Sequence, residues 1–85
     1  MTRINSAEVI WNEVDGDIVA LAFSTGSYFV FNNVGSHVWK MLDQGKSNAE
    51  IVSELRKLYD IPVETLESDV NEFIDAAASK NFIAT

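Results

Sequence analysis

The stretch Gly26–Trp39, GSYFVFNNVGSHVW, is where the chain changes from one kind of secondary structure to another. A turn glycine opens it. Tyr28-Phe29-Val30-Phe31 then reads as a short, very apolar strand. Asn32 and Asn33 come next, and a side-chain oxygen at such a junction caps a helix by accepting a backbone N–H left free in its first turn. The spacing predicts a helix over roughly residues 33–43. Val34, Val38, Met41 and Leu42 form its apolar stripe, Trp39 widens that stripe, and Gly45 ends it.

The chain on the N-terminal side of this junction reads as β. Residues 8–14, EVIWNEV, are rich in β-branched and aromatic types. Asp15-Gly16 comes after them, and Asp-Gly between two such runs signals a hairpin because the tight turn needs positive φ. Residues 18–23, IVALAF, form the second strand, Ser24–Ser27 the next turn, and residues 28–31 the third strand. The product is a three-stranded antiparallel meander, which needs a cover on one face to be stable. Parity assigns Leu21 and Phe23, with Phe29 and Phe31, to the covered face, and Tyr28 and Val30 to the other. The strands are apolar on both faces, so the second face is either sandwiched or a binding surface.

The chain on the C-terminal side reads as α. Ser47-Asn48-Ala49-Glu50 matches a capping box, and Ile51, Leu55 and Leu58 face inward on a second helix. Ile61 before Pro62 breaks it. Pro62 suits the start of a third helix over residues 63–79, in which Val63, Leu66, Val70, Phe73 and Ala77 form an amphipathic seam. Asn81 stops it, and Phe82-Ile83 is an apolar tail that folds back on the core. The fold class is α+β, βββααα, with the content of a winged helix-turn-helix, and residues 1–85 are expected to form a single domain.

That content suggests DNA binding, and charge excludes it. The chain has a formal charge of −7. The third helix carries Glu64, Glu67, Asp69, Glu72 and Asp75, with Lys80 at its end as the one base. Such a helix is repelled by the phosphates of a major groove. The absence of cysteine removes disulfides and thiolate metal sites and fits a cytoplasmic location. MTRINSAEVIW lacks the pattern of a signal peptide, and no segment approaches a membrane span, so no membrane partner is expected. His37 stands alone. Ser24, Ser27 and Ser36 have no motif that pairs a nucleophile with a base, and Gly26 and Gly35 make no phosphate loop. The expectation is a non-enzyme with no catalytic residues, no metal and no cofactor.

The third strand carries no charged residue between Gly26 and Asn33 and no proline. Monomeric proteins usually protect such an edge. It is therefore either hidden by the chain itself, paired with a second copy in a homodimer, or open to a peptide.

The run G-x-Y-F-x-F-N-x-x-G-x-x-V-W resembles the pattern of the PqqD-like proteins, the recognition elements for precursors of ribosomally synthesised and modified peptides. Ile51, Leu55, Tyr59, Val63, Leu66, Asp69-Val70, Phe73 and Phe82-Ile83 agree with it, so the resemblance spans about Val9 to Ile83. It implies a small adaptor that binds the leader segment of a precursor peptide as a strand added to the third strand, against the third helix. The adaptor then delivers the precursor to a modifying enzyme or leader peptidase. Carried over by position, the peptide-binding residues are Tyr28, Phe29, Val30 and Phe31 on the strand, with Leu66, Asp69, Val70, Phe73 and Ala76 on the helix. The short Ser24–Ser27 loop departs from the proline-and-glycine loop of the quinone-cofactor members, which points to the broader PqqD-like group, lasso-type stand-alone elements included, and leaves the pathway open. A self-associating domain that dimerises through the third-strand edge is the other reading.

Overall fold

The computed structural model describes residues 3–84. In chain order the elements are β1 (Arg3–Ile4), β2 (Val9–Val14), β3 (Asp17–Ala22), β4 (Tyr28–Val30), α1 (Asn33–Asp43), α2 (Asn48–Leu58), α3 (Val63–Ser79) and β5 (Ile83–Ala84). The meander is the antiparallel sheet β2-β3-β4, so the third strand expected from the sequence is β4. β1 and β5 pair separately as a two-stranded antiparallel ribbon, which no sequence signal announces.

Local chemistry sets most of the boundaries. Asp15 (φ 53°) and Gly16 (φ 88°) both take positive φ, the requirement of the two-residue turn that twists correctly between β2 and β3, and Val14 pairs with Asp17 across it. The Asn32 side chain accepts from Gly35 N at 2.7 Å to start α1. At α2 the capping box is complete: Ser47 N donates to Glu50 Oε1 at 2.9 Å, and Glu50 N donates to Ser47 Oγ at 3.2 Å. Pro62 sits just before α3, where its missing N–H costs nothing. Asn81 ends that helix with φ 62°. Its N–H reaches Ala78 O and that of Phe82 reaches Ala77 O, a closing turn that sends Phe82 back over the core.

The helices cover one face of the sheet. The register pairs Trp11 with Ala20 and Ala20 with Phe29, so these three share the inner face. The inward residues of β3 are Ile18, Ala20 and Ala22, all buried. This corrects the parity expected for the second strand: Leu21 is only half-buried and Phe23 is 54% exposed. The reason is space. Trp39 is fully buried beneath the sheet, ringed by Trp11, Phe31, Phe73 and Phe82 at centroid distances of 5.3–6.5 Å. Two alanines on the middle strand leave room for that cluster, where a leucine and a phenylalanine would overfill it. Within it the Trp39 indole N–H has no hydrogen-bond partner among the described residues.

The outer face of the sheet is also apolar. Ile10, Val14, Tyr28 and Val30 are exposed on it, with Val19 and Leu21 half-buried beside them. No helix of the described residues is long and apolar enough to cross a membrane.

Candidate functional site

The sheet has two edge strands, β2 and β4, and the only sheet neighbour of β4 among the described residues is β3. Antiparallel strands point the N–H and C=O of alternate residues to opposite sides. Phe31 N donates to Ile18 O at 2.9 Å and Ser27 O accepts from Ala22 N at 3.0 Å, so residues 27, 29 and 31 turn their backbone groups toward β3. Tyr28 and Val30 therefore turn theirs outward. Their side chains, 71% and 67% exposed, lie on the outer face of the sheet. The edge thus offers two outward-facing residues, each with a donor and an acceptor, and no charge or proline guards it.

Beside this edge runs a groove. Its floor is aromatic: Phe29 packs edge-on against Phe82 at 5.3 Å, and Phe31 against Phe73 at 5.1 Å. One hollow, of about 240 Å³, is lined by Phe29, Val30, Phe31, Phe73, Ala76 and Lys80 among others. A second, of about 330 Å³, is lined by Asn32, Val34, Gly35, Asp69, Glu72 and Phe73. Phe73 lines both, so the hollow between β4 and α3 and the hollow between the start of α1 and α3 meet at its ring and together are the groove.

The helical period explains which residues of α3 reach this groove. At about 100° per residue, Leu66, Val70 and Ala77 fall within about 40° of one another. They form the buried seam, with Leu66 and Val70 at 0% and 1% exposure. Phe73, Lys80, Asp69 and Ala76 come in order around one flank, with Glu72 beyond them. Val63, Glu67 and Asn71 lie on the opposite flank, where they border a hollow of about 440 Å³ against α2.

The structure therefore divides the site residues expected from the sequence. Phe29, Phe31, Phe73 and Ala76 line the apolar part of the groove, and Asp69 lines its other end. Val30 also lines the apolar part, whereas Tyr28 borders a hollow on the outer face of the sheet. Leu66 and Val70 are core residues, because the seam they mark is the one that closes the fold. Gly35, Asn32, Glu72, Lys80 and Phe82 complete the walls and are absent from the set expected from the sequence. The spacing of Lys80, four after Ala76 and seven after Phe73, is the signal that could have found it.

Two devices on α1 fix the groove. Ser36, almost fully buried, has an Oγ that accepts from Ile18 N at 3.0 Å and donates to Phe31 O at 3.3 Å, which holds the ends of β3 and β4 to the helix. Gly35 has no side chain where Phe73 needs space. The charges on the groove are one-sided. Lys80 Nζ stands 5.3 Å from the centre of the Phe29 ring. Asp69 and Glu72 mark the other end, and neither has an ion-pair partner; the two ion pairs among the described residues are Lys40–Glu13 and Lys57–Glu54.

Among the described residues no three His, Asp or Glu side chains gather in a group that could hold a metal. His37 packs edge-on against Tyr59 at 5.8 Å, on the far side of α1 from Phe73. The arrangement suits an extended chain that pairs with the edge and drops alternate side chains into the groove.

The family model described as coenzyme PQQ synthesis protein D, PqqD, matches residues 17–83. A solved structure of TbiB1 in complex with the TbiA(beta) leader peptide is 34% identical to this chain, with a TM-score of 0.88, and the alignment covers 95% of this chain and 93% of that one. A second, of lasso peptide synthetase B1 complexed with the leader peptide, has a TM-score of 0.87 and covers 99% and 98% of the two chains. At 19% identity it speaks for the fold. Among curated proteins nothing matches.

Proposed function

The chain belongs to the PqqD family, and on that premise we propose that it is a recognition element for a ribosomally synthesised precursor peptide. It binds the leader segment as a fourth strand on the β4 edge, against α3, and hands the precursor to a modifying enzyme or leader peptidase. Its own role is that of an adaptor without catalysis.

The observation that carries this reading is the open edge at Tyr28 and Val30 lying directly beside the groove of Phe29, Phe31, Phe73 and Ala76. Backbone pairing gives a peptide affinity independent of its sequence, and the groove selects the alternate side chains. The 34%-identical neighbour holds a leader peptide, which favours a peptide over a second copy of the chain as the occupant. A leader disordered on its own must order on binding, and that entropic cost keeps the affinity moderate.

Val30→Pro tests it. Val30 N–H faces away from β3, so proline removes a donor from the open edge and leaves the β3–β4 ladder intact. Circular dichroism checks that the variant is folded. Fluorescence anisotropy with a labelled leader peptide, from a short reading frame beside the gene or the TbiA(beta) leader, then reads affinity. A loss of roughly tenfold or more is expected, the scale of one to two net backbone hydrogen bonds. Native affinity in folded V30P protein would sink strand addition along β4.

A further inference from the structure

We infer that the groove selects leaders by charge as well as by shape. It takes a segment with an apolar anchor and, two or four residues to the N-terminal side and so on the same face of the strand, a lysine or arginine. This rests on the leader-binding reading and adds to it a substrate class.

The groove runs along one flank of α3 from Asp69 to Lys80, a rise of about 16 Å, which an extended chain spans with about five residues. Its middle is apolar, walled by Phe29, Phe31, Phe73 and Ala76. Its ends have opposite charge. The Asp69 end also holds Glu72 and has no cation among the described residues, whereas the other carries Lys80 over the Phe29 ring. From Ala76 to Asp69 is about 10 Å along the helix, and because only alternate residues of an extended chain share a face, the positions that reach both lie about two or four residues apart.

The sheet sets the direction. β4 runs from Phe29, beneath Lys80, toward Asn32, beside Asp69 and Glu72. A strand that continues the antiparallel pattern enters at the acidic end and leaves at Lys80. A cation N-terminal to the anchor then meets Asp69 and Glu72, while the same cation on the other side of the anchor meets Lys80 and is repelled. Attraction at one end and repulsion at the other fix both direction and register, which backbone pairing alone leaves free to slip by two residues.

The test uses a displayed library of random twelve-residue peptides, selected on the full chain and on Asp69→Lys/Glu72→Lys. Both positions are exposed on α3, so the variant keeps the fold, and its thermal unfolding verifies this. On the wild-type chain the selected peptides are expected to share an aliphatic or aromatic anchor with Lys or Arg two or four positions before it. On the double variant that position turns acidic. A wild-type peptide loses affinity for the variant by about tenfold at low salt, as two exposed attractions become repulsions, and by less at 0.5 M salt. Anchored peptides with no fixed cation, or a cation that survives the charge reversal, overturn the inference and leave leader binding standing. A library that yields no anchored peptides overturns leader binding and the inference together.

Discussion

Gly35 on α1 and Phe73 on α3 are in such close approach that a β-carbon on Gly35 would lie 3.0 Å from Phe73 Cε2. It would also lie 3.2 Å from the Asn32 oxygen that caps the same helix. A glycine inside a helix costs about 1 kcal/mol relative to alanine, so its place here has a packing reason. Gly35→Ala regains that amount and loses about 1–3 kcal/mol to overpacking. The net loss in stability is expected to be about 0–2 kcal/mol. The hollows that Phe73 lines give its ring room to yield toward the groove. Affinity for leader should therefore fall by more than stability does, about tenfold or more. Thermal unfolding and a binding titration on the same variant separate the two. Unchanged binding would mean that Phe73 is not a fixed wall.

Hydrogen exchange on the backbone of β4 should change residue by residue. Phe29 and Phe31 point their amides at β3 and are protected in the free protein. Tyr28 and Val30 point theirs at the open edge and exchange freely. On leader binding the Tyr28 and Val30 amides are expected to slow by at least tenfold, with little change at Phe29 and Phe31. A peptide that lies in the groove without joining the sheet would leave Tyr28 and Val30 fast, and that result would remove strand addition.

Much of this arrangement is legible in the residues, because caps and turns act locally. Asn32, the Ser47–Glu50 box, Pro62 and Asn81 mark helix ends through hydrogen bonds that span three or four residues, and Asp15-Gly16 forces a hairpin through φ alone. The faces of the strands are less legible. Bulk suggests Leu21 and Phe23 as inward residues, yet the inward set is Ile18, Ala20 and Ala22, because the space is allotted by Trp39, far along the chain. The α3 seam is plainly apolar in the sequence, but its spacing does not say which edge of the seam faces a groove. That depends on β4, and so position along the chain alone draws Leu66 and Val70 into the site together with Phe73. The β1–β5 ribbon leaves no mark at all, since a strand of two residues has no period to detect.

Ser36→Ala is expected to weaken the whole fold. It leaves the Ile18 N–H, at a buried position, without the oxygen that accepts it at 3.0 Å. An orphaned buried donor costs about 1–3 kcal/mol, which in a chain of this size lowers Tm by roughly 4–8 °C for each kcal/mol. Urea unfolding should show a lower midpoint with the same slope. A stability within about 0.3 kcal/mol of wild type, well below the cost of an orphaned donor, would mean that water or another group satisfies Ile18.

Ala76 and Leu66 separate the groove from the core. Ala76 is exposed and lines the apolar hollow, so Ala76→Phe fills it at a cost of about 0.5 kcal/mol in helix propensity. The variant should fold normally and bind leader at least tenfold more weakly. Leu66 is fully buried, and Leu66→Ala should cost about 2–5 kcal/mol, with binding lost only as far as folding is lost. Unfolding curves and titrations for both variants are the check. A76F protein that binds normally would empty the hollow of any role, and L66A protein that is stable but cannot bind would move Leu66 back into the site.

The capping box gives α2 a pH dependence whose sign is set by its hydrogen bonds. The Ser47 backbone N–H, then its side chain, and to a lesser degree the charge of Lys46 hold the Glu50 carboxyl below the usual range, against a small opposing effect of burial. A carboxyl whose pKa is lower folded than unfolded adds stability that is complete above its unfolded pKa. That contribution is lost as pH falls through the folded value. Glu50 is fully exposed, so the effect is local: the first turn of α2 should loosen on the acid side of an ordinary glutamate, while the core remains. A carbon-detected NMR titration should find the Glu50 midpoint below that of a glutamate in a short peptide. Ser47→Ala should raise it toward the peptide value, and Glu50→Gln should remove the acid-side fall in the Ile51 amide protection factor, measured against intrinsic exchange at each pH. A midpoint that does not move in S47A protein would show that the box is not what holds the carboxylate.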